Sequence, residues 1–291
     1  MTSPLVSVII PTHNRAHCIR RAVASVMQQT YRHYELIVVD DCSTDATQET
    51  LQEYAGSCRV LKMPVRSGPA AARNKGIAAA QGALIAFLDS DDAWLPEKLA
   101  AQVQFFMSHP DCAVCQTDEI WIRNGVRVNP MKKHSKHSGW IFEQCLPLCI
   151  VSPSAVMLHR RVFDTVGVFD ESMPACEDYD LWLRISVRYA MYLIRKPLVI
   201  KYGGHSDQQS RTVPHLDRWR IYALCKLLAS GLLTPDQYRA AHRELERKCH
   251  VYGTGCMKHG RQEEGLRYLK LPTQYKQRGD KTAGYEPYVI P

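Results

Sequence analysis

The N-terminal part of the chain alternates short apolar, β-branched runs with longer segments of helix-compatible composition. The runs that predict strands are Val6–Ile10, Leu36–Val39, Val60–Met63 and Leu84–Leu88. The segments between them that predict helices are Arg20–Gln29, Thr44–Tyr54 and Pro69–Ala80. Strands that are joined by helices pair in parallel and become covered on both faces. The pattern therefore predicts an α/β fold with a mostly parallel central sheet flanked by helices.

Polar clusters follow three of these strands, and they are Pro11–Arg15, Asp40–Ser43 and Asp89–Asp92. Open parallel sheets bind ligands beyond the carboxyl ends of their strands. The three clusters therefore predict a binding site along one edge of the sheet.

The acidic cluster Asp89–Asp92 is the strongest of these local signals. Carboxylates packed so densely repel one another unless a cation joins them. Mg²⁺ and Mn²⁺ bind through one or two carboxylates together with phosphate oxygens. The cluster indicates either a divalent ion that bridges to a diphosphate or a solvated turn that caps the next helix, and by itself it does not decide between the two.

The second half of the chain predicts further strands and helices and then helices alone. Strands are predicted at Ala113–Thr117, Ser154–Leu158 and Leu198–Tyr202, and helices at Pro96–Met107 and Asp180–Tyr189. The basic, turn-rich segment from Arg123 to Gly139 predicts a loop or hairpin beside the site. Beyond Arg211 we expect a helical C-terminal extension. The predicted organisation is a catalytic domain over residues 1–211, the extension over 212–271 and a loosely ordered tail over 272–291.

Charge and cysteine usage limit the partners and the compartment. The net charge of +8 fits anionic partners such as diphosphates, polyanionic glycans or a lipid surface, and it does not single out nucleic acid. The 11 cysteines lack a disulfide-framework spacing, so a reducing cytoplasm is expected. With no secretion signal and no apolar run long enough to span a bilayer, membrane attachment would be peripheral. Attachment to the inner face of the membrane and homo-oligomerisation are both left open.

Four stretches resemble, in order and separation, the family-2 glycosyltransferases of the GT-A fold, and they are Val8–Arg15, Val38–Asp45, Ala71–Gly76 and Phe87–Asp92. Downstream, Glu177–Arg184 resembles the acidic catalytic motif of that family. The likeness covers residues 5 to 211, and five ordered motifs make a chance match improbable. It implies a GT-A fold, a Rossmann-like α/β architecture.

The resemblance also implies an activity. Such an enzyme is an inverting, metal-dependent glycosyltransferase that moves a sugar from a nucleotide-diphosphate sugar, typically a UDP-sugar, to an acceptor hydroxyl. Its cofactor would be Mn²⁺ or Mg²⁺, and its acceptor a glycan, a lipid-linked sugar or a protein. The biological setting would be the biosynthesis of a cell-surface glycan or polysaccharide.

Residue roles follow from the resemblance position by position. The nucleotide-sugar would be held by Pro11, Thr12, Arg15, Asp41, Arg73, Asp89 and Ser90, with Asp91 on the metal. Asp178, or else Glu177, would be the base that deprotonates the acceptor. The segment His205–Arg211 resembles a loop that closes over the donor diphosphate. There His205 would be a further metal ligand, and Ser210 and Arg211 would contact phosphate oxygens.

Two other functions compete with this one. A catalytically silent nucleotide-binding module would bind UDP without turnover, although both acidic motifs are intact in this chain. A sugar nucleotidyltransferase would need a Gly-rich, Arg-containing loop after the first strand, where Pro11–Asn14 stands. An oxidoreductase is disfavoured because no Gly-x-Gly-x-x-Gly follows an early strand.

Tryptophan and cysteine residues suggest sugar stacking and zinc binding, respectively. Trp94 follows the acidic cluster and is the best candidate for stacking on a sugar, whereas Trp182 is expected in the core. Cys112 and Cys115 have zinc-like spacing without a second pair, so they are expected to be core residues.

Overall fold

The computed structural model describes residues 3–204 and 213–276, in which nine strands form one mixed sheet. The strands are β1 (Val6–Thr12), β2 (Tyr34–Asp40), β3 (Arg59–Lys62), β4 (Leu84–Phe87), β5 (Ala93–Trp94), β6 (Val114–Arg123), β7 (Val126–Val128), β8 (Val156–His159) and β9 (Met191–Gly203). Their spatial order is β3-β2-β1-β4-β8-β6-β9-β5, with β7 paired to β6.

The directions of the strands decide which strand ends meet. Strands β3, β2, β1 and β4 are parallel neighbours. Strand β8 is antiparallel to both β4 and β6, so β6 and its parallel partner β9 run in the same direction as β1. The carboxyl ends of β1, β2, β4, β6 and β9 therefore point toward one edge of the sheet.

Helices cover both faces of the sheet. They are α1 (Ile19–Met27), α2 (Thr47–Gln52), α3 (Gly68–Ala79), α4 (Lys98–Ser108), α5 (Phe142–Cys145), α6 (Arg161–Val166), α7 (Glu177–Arg188), α8 (Leu216–Ala229), α9 (Pro235–Lys258) and α10 (Gln262–Lys270). Alternate residues of β1 enter two different cores, since Ile9 packs on the side of α3 and α7 whereas Ile10 packs on the side of α1 and α4. Strands buried on both faces read as continuous apolar runs.

Helix α3 lies unusually close to β1 because of one glycine. A Cβ atom on Gly76 would stand 2.4 Å from Cγ2 of Ile9. The missing side chain lets the helix backbone approach the strand. This close packing sets the distance between α3, which carries Arg73, and strand β1.

Strand β9 is longer than predicted. The sequence predicted only Leu198–Tyr202, but pairing with β6 begins at Met191. The register shifts on either side of Asp118, where β9 contributes extra residues around Pro197. A proline and two basic residues interrupt the apolar pattern there, and a β-bulge absorbs them without ending the strand.

The C-terminal helices pack directly on α7. Lys226 of α8 forms ion pairs with Asp180 of α7 and with Asp170. Lys248 of α9 donates a hydrogen bond of 2.9 Å to the carbonyl of Pro147. The division at residues 211 and 271 stays a prediction, and residues 277–291 lie outside the described part of the chain.

The eleven cysteines carry free thiols. Cys112 and Cys115 are buried in the core, as predicted. Within residues 3–204 and 213–276, no helix combines the length and apolarity needed to cross a bilayer.

Candidate active site

The ends of β1 and β2 hold the first two motifs together. The carboxylate of Asp41 accepts hydrogen bonds from the backbone N–H of Ser67 at 2.7 Å and of Gly68 at 2.8 Å, at the start of α3. Asp41 is therefore a buried carboxylate stabilised by a helix N-terminus. Each of its oxygens keeps a second lone pair, so it can still accept a hydrogen bond from a ligand.

The loop after β1 is tied to the loop after β2. Asn14 adopts a left-handed conformation with φ of 51°, and its side-chain oxygen accepts a 2.7 Å hydrogen bond from the N–H of Thr44. The N–H of Arg15 donates to Thr47 Oγ1 at 2.8 Å. The hydroxyl of Thr12 is buried and has no hydrogen-bond partner among the described residues. A buried polar group without a partner is costly, so this hydroxyl is suited to meet a bound ligand.

Arg73 links two of the motifs through its guanidinium. It donates to Asp89 at 2.8 Å and to Glu177 at 2.7 Å, and its side chain is 6% exposed. Burial would lower the pKa of Arg73, but Asp89 and Glu177 raise it, so the side chain stays charged. Burial raises the pKa of Glu177 against the pull of Arg73. The start of α7 is thereby joined to the end of β4.

Asp178 stands beside this pair in the first turn of α7. Its Oδ1 accepts a 2.7 Å hydrogen bond from the N–H of Tyr179. Its Oδ2 accepts from the thiol of Cys149 at 3.3 Å. Burial and the charge of Asp178 raise the pKa of Cys149, so the thiol keeps its proton and acts as the donor. Cys176, just before the helix, is left-handed with φ of 61°, a strained conformation that is enriched at functional sites.

The acidic cluster divides into three environments. Asp89 faces Arg73, and Asp92 is buried with its oxygens accepting from Ser154 Oγ at 2.7 Å and from the N–H of Tyr202 at 3.1 Å. Burial raises the pKa of Asp92 well above its ordinary value. Asp91 is more accessible, and its carbonyl accepts from Arg21. The metal role predicted for Asp91 stays a prediction.

Lys201 and Glu119 belong to the same electrostatic network, although the sequence analysis missed both. Burial would lower the pKa of Lys201, but Glu119, Asp92 and Asp89 raise it. Burial would raise the pKa of Glu119, but Lys136 and Lys201 lower it to about 2. Positive and negative side chains therefore alternate from the acidic cluster into the end of β6.

Glu119 should make folding stability depend on pH. Its pKa falls from an ordinary 4.5 to about 2 in the folded chain. Its stabilising contribution is then complete above pH 4.5 and is lost as the pH falls toward 2, and it amounts to about 3 kcal/mol. Urea unfolding from pH 6 to pH 2.5 should show a smaller loss of unfolding free energy for Glu119→Gln than for the wild type. Glu97→Gln, at an exposed position, should follow the wild type, and parallel curves for all three proteins would refute this assignment.

The predicted site residues can now be located. Those whose contacts join the β1, β2, β4 and α7 motifs are Thr12, Arg15, Asp41, Arg73, Asp89 and Glu177. Asp178 follows Glu177 in the first turn of α7 and contacts Cys149. Pro11 is buried in β1, and Ser90 is 7% exposed between the acids. His205, Ser210 and Arg211 lie outside the described residues.

Trp94 is unsuited to the stacking role that its position suggested. The side chain is 3% exposed, its indole N–H donates to the carbonyl of Ser154 at 2.8 Å, and Lys98 lies 3.7 Å from the ring centre. Trp182 is buried, as expected.

The fold matches solved structures of one architecture. The Staphylococcus aureus TarS fragment 1–349 in complex with UDP-GlcNAc superposes with a TM-score of 0.75 at 19% identity, covering 93% of this chain and 81% of the other. This likeness shows the fold, and it confirms the predicted GT-A architecture with C-terminal helices.

Sequence comparison gives the family. The model for glycosyl transferase family 2 matches residues 7–167, over half of the chain. TuaG of Bacillus subtilis, named for teichuronic acid biosynthesis, is 47% identical over 188 residues, which is 62% of this chain and 72% of TuaG. WfgD of Escherichia coli, a UDP-Glc:α-D-GlcNAc-diphosphoundecaprenol β-1,3-glucosyltransferase, is 34% identical over 186 residues, 64% of this chain and 71% of WfgD. The chain belongs to glycosyl transferase family 2 and is a glycosyltransferase, as its motifs predicted.

Proposed function

We propose that this glycosyltransferase inverts the anomeric centre of a UDP-sugar as it transfers the sugar to a lipid-linked glycan in cell-surface polysaccharide biosynthesis. The observation that carries the proposal is the joining of Asp89 and Glu177 by Arg73. This bridge places the acidic cluster after β4, on the donor side, next to the acidic pair Glu177 and Asp178 at the start of α7. Similarity to WfgD and to UDP-GlcNAc-bound TarS supports the acceptor and donor classes.

The donor half would lie across the ends of β1, β2 and β4. Asp41 and the unpartnered hydroxyl of Thr12 would bind the base, with Pro11 and Arg15 shaping the same loop. Arg73, Asp89 and Ser90 would hold the ribose and the sugar side. Ser210 and Arg211 would contact the diphosphate, because an arginine suits bidentate phosphate binding.

The side chains that could ligate a metal fit a divalent ion that takes few ligands from the protein. No group of three His, Cys, Asp or Glu side chains is arranged for a metal within the described ranges. Mn²⁺ and Mg²⁺ need only one or two protein carboxylates when a diphosphate supplies the other oxygens. Asp91, together with His205, would hold the ion, and the bound ion would neutralise charge on the leaving diphosphate.

The acceptor half would be the start of α7. The carboxylate of Asp178 would take the proton of the acceptor hydroxyl as the hydroxyl oxygen attacks the anomeric carbon. The bond from that carbon to the diphosphate breaks in the same displacement, so the configuration inverts and UDP leaves. Glu177 is held by Arg73 in an ion pair, so we assign it to positioning α7 and Asp178 to the base role.

A donor screen tests the proposal. The thermal midpoint of the purified chain should rise with UDP-sugars in the presence of Mn²⁺, because ligand binding to the folded state stabilises it. The rise should exceed that with GDP- or dTDP-sugars, and Asp91→Asn should reduce it. UDP, and not pyrophosphate, should be released with a polyprenyl-diphosphate-linked sugar as acceptor. Tight UDP binding without turnover against a broad acceptor panel would favour the silent module, and release of pyrophosphate would favour a nucleotidyltransferase.

A further inference from the structure

A cavity of about 260 Å³ lies beside the ends of β6 and β9, outside the residues assigned to the donor. This β6–β9 cavity is lined by residues that include Asp118, Glu119, Trp121, His134, Lys136 and Arg195. Its volume is below the roughly 300 Å³ that begins the range for drug-sized ligands. A space of this volume suits one sugar residue.

The cavity sits at the bulge between β6 and β9. The pairing register changes on both sides of Asp118, so Arg195 and Asp118 do not keep the regular alternation of a ladder. Bulges near active sites redirect side chains. Here the irregularity lies among residues that line the cavity, namely Asp118, Glu119 and Arg195.

A buried ion pair of Glu119 and Lys136 lines the cavity. Oε2 of Glu119 accepts from the indole N–H of Trp121 at 3.0 Å. Oε1 lies 3.2 Å from the ammonium of Lys136, which also donates to Oε1 of Gln116 at 3.1 Å. The side chains of Glu119 and Lys136 are each 6% exposed. A paired carboxylate and ammonium can together accept from and donate to the hydroxyls of a sugar.

The surroundings of the cavity carry an excess of positive charge. Arg123 and Lys201 lie 5.6 Å and 5.9 Å from the centre of the Trp121 ring. Lys136 and the exposed Arg195 are the basic residues of the lining. Asp118 and Glu119 are the carboxylates on the lining. Lys136 is paired with Glu119, and Lys201 faces the acids after β4 as well as Glu119. Two further cations, Arg123 and Arg195, then stand against one carboxylate, Asp118, and this excess favours a ligand that brings a negative charge of its own.

The cavity is also coupled electrostatically to the acidic cluster on the donor side. Lys201 interacts electrostatically with Asp89, Asp91 and Asp92 on one side and with Glu119 on the other. Because β6 and β4 run in the same direction, both ends open on the same edge of the sheet. A sugar in the cavity would lie beside the donor, where an acceptor must approach.

We propose that the β6–β9 cavity binds a glycosyl unit of the acceptor that carries a carboxylate or a phosphate, with Glu119 and Lys136 bonded to its hydroxyls and Arg195 to its charge. The proposal rests on the proposed function, because it assigns the acceptor side of the same reaction. The ligand class is an anionic sugar.

Ligand-observed NMR titration of the full chain with UDP present tests the proposal. Three probes separate the sources of charge, namely methyl glucuronide, glucose 1-phosphate and methyl glucoside. One or both anionic probes should bind at least about fivefold more tightly than the neutral glucoside, and the tighter one identifies the charged group. Arg195→Gln should weaken the anionic probe about tenfold, as expected for a lost charge-assisted hydrogen bond. Lys196→Gln, the adjacent exposed position outside the lining, makes the same change of charge and should leave binding unaltered.

The outcomes distinguish this inference from the proposed function. Equal binding of neutral and anionic probes, equal weakening by the two variants, or UDP binding with no probe binding would overturn the cavity assignment alone. A chain that binds no UDP at all would count against the donor site, whereas the probe preference would still report on the cavity.

Discussion

Replacement of Arg73 by alanine is expected to lower the free energy of unfolding by about 3–5 kcal/mol, the range seen when one partner of a buried ion pair is removed. The guanidinium is the shared partner of Asp89 and Glu177, and the side chain of Glu177 is 3% exposed. Without Arg73 a carboxylate would remain buried next to Asp178 with no cation beside it. Urea unfolding at pH 7 measures the change.

Arg20 provides a matched control. It forms an ion pair of 2.6 Å with Glu53, but the two side chains are 59% and 49% exposed. An exposed pair contributes at most about 1 kcal/mol, so Arg20→Ala should change stability little. Arg73→Lys should recover only part of the loss, because an ammonium lacks the planar fork that bonds both acids. If Arg73→Ala and Arg20→Ala were equally mild, the central place given to Arg73 would be wrong.

Asp178→Asn is expected to lower kcat by about 10²–10⁴-fold, the usual contribution of a general base. The amide keeps the shape of the side chain but cannot take the acceptor proton. The affinity for UDP should stay within about twofold, since Asp178 is not among the residues assigned to the donor. Initial rates of UDP release, combined with UDP titration, measure the two quantities separately.

Glu177→Gln tests the alternative assignment. It should reduce stability through the loss of the charged pair with Arg73, whereas Asp178→Asn should leave the fold intact. Asp236→Asn, at an exposed position at the start of α9, should affect neither rate nor stability. A folded Glu177→Gln protein without turnover, alongside an active Asp178→Asn protein, would make Glu177 the base.

The sequence could predict the sheet, and the edge at which its motifs meet, because both depend on local signals. Apolar β-branched runs marked β1, β2 and β4, and parallel topology brings the residues after each run to one edge. The positions of Asp41, Asp89 and Asp91 indicated a binding edge, whereas their individual roles came from the family resemblance and stay predictions. The glycosyltransferase family was likewise predicted from motif order and was confirmed.

What could not be predicted depends on contacts between distant segments. The sequence around Lys201 and Glu119 does not indicate that the two side chains interact. Their interaction follows from the pairing of β6 with β9 across a bulge. Cys149 gives no local signal that its thiol would reach Asp178. Asp92 differs from Asp91 in being buried against Ser154, which lies in a turn before β8. Periodicity and spacing carry no information on such pairings.

Helix α7 has consequences for exchanging parts between members of this family. Its first turn bonds to Arg73 on one side, while Asp180 is held by Lys226 of the following helical segment. A chimaera that took α8 from a homologue lacking a lysine at position 226 would remove this cation from Asp170 and leave Asp180 paired with Arg184 of its own helix. Recombination at residue 211 should therefore yield hybrids whose α7 and α8 are held together less firmly, unless the incoming helices restore this basic side chain.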